Sequence, residues 1–172
     1  ATAAFAVTDK AGAFDAAAVT VTVAGDTVSG TVKRVVDGAA ADVILVAATG
    51  SDGVGLYAVD AQDVVRTPPL STLDLTRPQA NITFSDSPAR LLAGPEDAER
   101  VITHALQVGS ALLAVEQVGA AQHLLDLSVE YAKSRLQFGR QIGSFQAIKH
   151  KLADMLVDVE HARSAATTRC GR

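Results

Sequence analysis

The feature that most constrains the fold is a stretch that runs from Pro95 towards Gly139 without a convincing helix breaker. It opens on Gly94-Pro95-Glu96-Asp97, and a proline near the first helical position followed by acids in the first turn indicates a helix start. About 40 residues at a rise of 1.5 Å per residue make a helix roughly 60 Å long, far above the usual length. Its middle, residues 111–121, is apolar on nearly every side. We therefore predict a long bundle helix that is surrounded by other helices.

A second helix is predicted after Ser144, because serine is a favoured N-cap residue. Its apolar residues recur at spacings of 4, 3, 4 and 3 and form one seam. The seam consists of Ile148, Leu152, Met155, Val159 and Ala162. Two helices do not bury both this seam and an all-round apolar centre, so we expect a four-helix bundle completed by residues outside this chain or by another subunit.

The first half of the chain follows a different pattern, with short Val- and Thr-rich runs cut by Gly, Asp and Pro, which predicts strands. The expected strands lie at 18–25, 28–36, 42–48, 56–59 and, as the last one, 80–84. The glycine-rich residues 50–55 join strand to strand and lack a Lys-Ser/Thr ending, so we interpret them as a hairpin turn and not as a phosphate loop. The prediction is an α+β protein: a small antiparallel β-barrel-like domain at 1–90, then at 95–172 a long-helix hairpin that forms an apparently incomplete part of a four-helix bundle.

Composition excludes several classes of function. The 172 residues are 48% apolar, which suffices for a core, and the net charge of -4 with scattered Lys and Arg argues against nucleic acid as a partner. No run approaches the ~20 apolar residues of a membrane span, and the N-terminus lacks the order of a secretory signal. The single Cys170 has no partner for a disulfide or a metal knuckle. These observations favour a cytoplasmic protein without a membrane span.

Residues 131–148, with the sequence YAKSRLQFGRQIGSFQAI, carry the most specific motif. They resemble the acyl-CoA dehydrogenase pattern of Tyr, three residues, Arg, any residue, Gln-Phe-Gly, a basic residue, any residue, Ile, two residues and Phe-Gln. Residues 152–155 and Ala162-Arg163 continue the likeness. In the first half, residues 5–9 resemble the family's flavin-wall segment and residues 29–38 resemble the strand that follows it. The resemblance covers nearly the whole chain.

The resemblance implies a FAD-dependent α,β-dehydrogenation of an acyl-CoA thioester, as in the β-oxidation of fatty acids. It also implies an electron-transfer flavoprotein or similar acceptor and a homo- or hetero-oligomer, dimeric or tetrameric. The residues implied at the ADP half of a FAD held mainly by a neighbouring subunit are Arg135, Gln137, Phe138, Ile142, Phe145 and Ile148. Those implied along the isoalloxazine are Phe5, Val7, Thr8, Val35 and Val36, with the Thr8 hydroxyl as a hydrogen-bond partner of the ring.

The catalytic base is not evident in the sequence. The resemblance implies a glutamate that usually comes late in the helical domain, beyond Arg172, or on the long helix at the position of Gly109. Glu116, one or two turns further on and among apolar residues, is the candidate on this chain, and a helix-packing carboxylate is the alternative. Three positions depart from residues that the family uses near substrate and flavin: Ser110, Phe14 and Arg34.

Two other functions fit parts of the sequence. Asp158-x-x-His161 has the acid-x-x-His spacing of ferritin-like metal sites. At 100° per residue, however, the wheel places four titratable residues opposite the apolar seam, which predicts that they face solvent: His150, Asp154, Asp158 and His161. The stronger alternative is a non-catalytic partner subunit of a heteromeric acyl-CoA dehydrogenase that acts as an interaction scaffold.

Overall fold

A computed structural model of the chain describes residues 1–7 and 14–170. The chain forms two compact units, Ala1–Leu106 and Gln107–Arg172, and the division falls inside the long helix. The helices are α1, Pro95–Ser134, and α2, Gln146–Cys170. The domain boundary expected between residues 90 and 95 stays a prediction about domain organisation, and it coincides with the change from strands to helix.

The first unit contains an eight-stranded mixed sheet. Its strands are β1 Ala3–Ala6, β2 Thr22–Ala24, β3 Thr27–Val36, β4 Val43–Gly50, β5 Gly53–Asp60, β6 Val65–Arg66, β7 Gln79–Pro88 and β8 Arg90–Ala93. They lie in the order β6-β7-β3-β2-β4-β5-β8, and β1 pairs with β4. The predicted α+β class is confirmed, but the sheet is not purely antiparallel, because β1 and β2 both run parallel to β4.

The strand predictions were correct in kind and wrong in some bounds. The predicted hairpin turn is present but shorter than residues 50–55: Gly50 pairs with Gly53 across β4 and β5, Ser51 and Asp52 form the turn, and residues 53–55 already belong to β5. The expected strand at 18–25 is shortened to β2, because residues 16–18 form a 3₁₀ turn in which Asp15 accepts a hydrogen bond from the Ala17 N–H at 2.9 Å. The strand at 80–84 is not the last, because β8 follows it.

Two apolar clusters fill the core of the first unit. One lies within the sheet and is built around Val21, Val28, Ile44, Val46 and Ile82, all without exposed surface. The other joins the sheet to the first turns of α1, where Ala98 and Ile102, four residues apart on one helix face, are fully buried. The start of α1 is thereby fixed to the β-sheet.

The second unit consists of the rest of α1, a short hairpin and α2. The hairpin contains β9, Leu136–Gln137, β10, Arg140–Gln141, and a 3₁₀ turn at Ile142–Ser144. The predicted seam of α2 is partly wrong: Val159 is buried, whereas Met155 and Ala162 are exposed. The best covered positions are Leu152, Val159 and Ala166, which follow one another at intervals of seven residues, the first half-buried and the other two buried.

The apolar centre of α1 is exposed within this chain. Its exposed large side chains in the second unit are Val108, Leu112, Leu113, Val115, Leu124, Leu127 and Tyr131. By length and composition α1 is apolar enough to cross a membrane, and 11% of its most apolar window is buried. A single helix of this kind is weak evidence for a membrane span, because core helices pass the same test.

Candidate functional site

The hairpin between the helices is a two-residue turn with an unusual backbone. Phe138 and Gly139 have φ of 52° and 75°, and Arg140 pairs with Gln137 across the turn. Positive φ at both central residues defines a type I′ turn, whose twist matches that of the two flanking strands. Glycine adopts this conformation freely, whereas a phenylalanine there is uncommon. The turn therefore places Phe138 at the tip of the hairpin.

An aromatic and cationic cluster forms at this tip. Phe138 is 92% exposed, and its ring meets that of Phe145 edge to face, with centroids 6.2 Å apart and an interplanar angle of 89°. The Arg140 guanidinium carbon lies 4.1 Å from the centroid of the Phe145 ring, which is cation–π geometry. We call Phe138, Arg140 and Phe145 the tip cluster. It presents a flat apolar ring and a positive charge side by side to solvent.

Arg140 was missed as a candidate residue, although the motif itself contains a basic residue at that position. The sequence prediction named Arg135 as the cation, and the Arg135 side chain is exposed at the end of α1. Its main chain is structural: the Arg135 N–H donates to the Tyr131 oxygen at 2.8 Å, and the Ile142 N–H donates to the Arg135 oxygen at 2.9 Å. Of the remaining predicted contacts, Gln137 is exposed, and Ile142 and Ile148 are half-buried.

The start of α2 differs from the prediction in one respect. Ser144 is not the N-cap, because α2 begins at Gln146 and the Ser144 hydroxyl donates to the Gln141 carbonyl at 2.7 Å. Directly before it, Gly143 packs against the end of α1, and a Cβ on Gly143 would lie 2.9 Å from the Ala132 carbonyl oxygen. This close approach fixes the hairpin against α1 and requires glycine.

In the first unit, the predicted flavin-facing residues divide between core and surface. Val35 is 3% exposed and belongs to the sheet core, whereas Val36 is 41% exposed, since neighbouring side chains on a strand point to opposite faces. Phe5 is half-buried, and Val7 is buried in the cluster that contains Ile102. Thr8 lies outside the described residues. A small cleft of about 30 Å³ is lined by Ala6, Val7, Asp15, Ala18, Val19, Thr20, Val32 and Ala47.

Glu116, the candidate base on this chain, lies on α1 within the second unit. The Glu116 side chain is exposed on α1, and a Cβ at Gly109 would meet nothing within 4 Å. Among residues 1–7 and 14–170, no group of three His, Cys, Asp or Glu is placed to hold a metal ion. The four residues expected to face solvent on α2 are all exposed: His150, Asp154, Asp158 and His161.

Comparison with known proteins agrees with the motif. Residues 99–170 match the family model described as acyl-CoA dehydrogenase, C-terminal domain. The acyl-CoA dehydrogenase IpdE2 of Mycobacterium tuberculosis is 41% identical over 136 residues, which make up 79% of this chain and 38% of that protein. The chain spans less than two fifths of the length of the first curated relatives that it matches.

Solved structures show the same fold. An acyl-CoA dehydrogenase from Geobacillus kaustophilus superimposes with a TM-score of 0.86 at 23% identity, covering 99% of this chain and 50% of its own. A FAD-dependent dehydrogenase superimposes with a TM-score of 0.84 at 27% identity, covering 95% of this chain and 48% of its own. The sheet and the two helices described above therefore occur together in longer proteins.

Proposed function

Since this chain belongs to the acyl-CoA dehydrogenase family, we propose that it is part of a FAD-dependent enzyme that oxidises an acyl-CoA thioester between its α and β carbons. The chain supplies the β-sheet unit and the first helical hairpin of that enzyme. The chain covers only part of its relatives, so the activity is assigned to the full assembly. Bound FAD would supply the hydride acceptor for this chemistry. The substrate would be a fatty or related acyl-CoA in β-oxidation.

The tip cluster is the observation that carries the proposal. The Phe138 ring is 92% exposed at the tip of the turn, and the Arg140 guanidinium lies over the Phe145 ring. Aromatic rings stack on the flat face of an adenine, and a guanidinium binds phosphate oxygens through charge-assisted hydrogen bonds. These residue types fit the ADP half of a dinucleotide.

The other residues of this chain have supporting roles in the proposal. Arg135, Gln137, Ile142 and Ile148 surround the tip in sequence and remain predicted contacts of the same ADP group. On the sheet, the exposed Val36 side chain and the half-buried Phe5 offer apolar surface to the isoalloxazine, and Val7 supports this surface from the core. Glu116 remains the candidate base on this chain.

The proposal includes the partners and the compartment. Because the tip cluster faces solvent within this chain, we assign its ligand to the FAD of a neighbouring subunit, which makes a dimer or tetramer part of cofactor binding. Members of the family work as oligomers and with an electron-transfer flavoprotein, and we propose the same acceptor class for the enzyme to which this chain contributes. We place that enzyme in the cytoplasm.

The test is flavin retention. The purified protein is given excess FAD, desalted, and its visible spectrum recorded for a band near ~450 nm. Arg140→Met should lower the retained flavin about 10-fold or more, because it removes a charge-assisted contact of roughly 1.5–3 kcal/mol. Lys151→Met on α2 removes an equal charge from another exposed position and is the matched control.

Two outcomes count against the proposal. Equal flavin retention by the Arg140 and Lys151 variants would show that the tip cluster does not bind the cofactor. An oligomer that stays colourless after exposure to FAD would instead favour the non-catalytic partner subunit, which keeps the fold and its interaction surfaces without turnover.

A further inference from the structure

Strand β3 contains a local distortion at Arg34. The register between β3 and β7 shifts between Val32 and Val35, and Arg34 within this bulge has φ of 58°. The left-handed region is disfavoured for residues other than glycine and costs of the order of 1 kcal/mol or more. Such residues cluster at ligand sites, where the surrounding structure maintains the strain. The backbone conformation at Arg34 is therefore destabilising for arginine, and glycine or asparagine would adopt it more easily.

Hydrogen bonds from the neighbouring strand maintain this conformation. The Arg34 N–H donates to the Asn81 side-chain oxygen at 3.0 Å. Asn81 is itself fixed, because its N–H donates to the Thr67 hydroxyl at 3.0 Å and the Thr67 N–H donates to the Asn81 carbonyl at 3.0 Å. Asn81 thus acts as a positioning residue for the bulge.

The bulge follows, along β3, a residue that lines the cleft of the first unit. Val32, two residues before Arg34, lines the cleft together with Val7 of the segment after β1 and Ala47 of β4. The Arg34 side chain is exposed, and its guanidinium makes no hydrogen bond or ion pair with any other residue in the part of the chain that the structure describes. With respect to the described residues, the Arg34 guanidinium therefore keeps its donors available for a ligand, at a bulge that begins after a residue of the cleft lining.

We propose that Arg34 binds an anionic oxygen, of a phosphate or a carboxylate, on the ligand that occupies this side of the β-sheet unit. A guanidinium presents a planar fork of N–H donors that matches such groups, and the locked backbone reduces the entropy lost on binding. Arg34 then determines specificity by favouring anionic over neutral ligands. The identity of the ligand rests on the proposed function, in which FAD supplies phosphates and an acyl-CoA supplies phosphates or an acyl carboxylate.

The test compares binding of paired probes by calorimetry, without turnover. FAD against riboflavin varies the phosphates together with the adenosine, and glutaryl-CoA against valeryl-CoA varies only the terminal acyl carboxylate. Arg34→Asn should keep the bulge, because asparagine tolerates the left-handed region, and should weaken binding of the anionic probe about 10- to 100-fold. Arg34→Lys should restore part of the loss. Lys33→Asn, at the neighbouring exposed cation, is the matched control and should change nothing.

The pattern of losses identifies the source of the anion. A loss for FAD alone assigns Arg34 to the cofactor phosphates, a loss for both acyl-CoA probes assigns it to the CoA phosphates, and a loss confined to glutaryl-CoA assigns it to the acyl carboxylate. Unchanged binding of all four probes by Arg34→Asn overturns the inference, as does a wild-type protein that binds none of them. Lower stability of Arg34→Asn without its ligand would show a structural role instead.

The inference and the proposed function fail separately. Binding of glutaryl-CoA through Arg34 by a protein that neither retains FAD nor oxidises acyl-CoA would refute the proposed function and leave the anion site intact. Flavin retention and turnover with equal probe binding by wild type and Arg34→Asn would refute only the inference.

Discussion

The close approach of Gly143 to the end of α1 gives the sharpest prediction for the helical unit. A Cβ at residue 143 would lie 2.9 Å from the Ala132 carbonyl oxygen, 3.2 Å from its carbonyl carbon and 3.5 Å from its Cβ. Contacts of a Cβ atom shorter than 3.0 Å are essentially never seen in real structures. The two nearest obstructing atoms belong to the helix backbone, so they do not move aside easily. Gly143→Ala must therefore shift the turn away from α1.

The expected cost follows from two opposing effects. Overpacking of this kind costs about 1–3 kcal/mol. Replacing glycine lowers the entropy of the unfolded chain and returns about 0.4–1 kcal/mol. The difference is a net loss of up to about 2.6 kcal/mol in the free energy of unfolding, with a central value of about 1.3 kcal/mol. The same shift moves Phe145, two residues later, and with it the stacking of Arg140, so the variant should also retain less flavin.

The assay is urea unfolding followed by far-UV circular dichroism, which reports mainly on α1 and α2. Gly119→Ala is the matched control, because Gly119 lies inside α1 and a Cβ there would meet nothing within 4 Å. Alanine at that position should raise stability by up to about 1 kcal/mol. An unfolding midpoint of Gly143→Ala equal to or above that of the wild type would refute the steric argument.

Two further predictions concern individual hydrogen bonds. Arg163 donates to the Gln122 side-chain oxygen at 2.6 Å and links α2 to α1. A double-mutant cycle of Arg163→Met and Gln122→Ala, measured by urea unfolding, should therefore give a coupling free energy of about 1–2 kcal/mol. Additive effects of the two substitutions would contradict the link. The hydroxyl and N–H of Thr76 both donate to the Asp74 carboxylate and hold its pKa below the ordinary value of 3.8. Because this pKa is lowered on folding, the turn at residues 74–76 should be stabilised above pH 3.8 and lose that stabilisation as the pH falls through the lowered pKa. The Thr76 amide resonance should report a midpoint below 3.8 that Asp74→Asn abolishes, and a midpoint at or above 3.8 would contradict the assignment.

The helical half was the more predictable part of the chain, because its signals are local. The proline and acids at residues 95–97 fix the start of α1, and the helix extends over 40 residues to Ser134. The motif at 131–148 indicated the hairpin and its family through residue types at fixed spacing. The seam of α2 was less predictable, because a repeat of 4 and 3 does not tell which of its positions this chain covers and which it leaves exposed.

The sequence by itself determined the alternation of strand and helix patterns, the glycine turns and the motif, because each depends on residues within a few positions of one another. Only the tertiary structure decided that β1 runs parallel to β4, since that pairing joins residues 40 positions apart for which alternation gives no register. It also decided which side chains come together in the tip cluster and at the bulge of β3. Arg140 lies over Phe145 because the turn at residues 138 and 139, with positive φ at both, reverses the chain after α1. Arg34 keeps its unusual backbone conformation because its N–H donates to the side chain of Asn81, 47 residues later. Contacts of this kind depend on distances in space, which spacing along the chain does not encode.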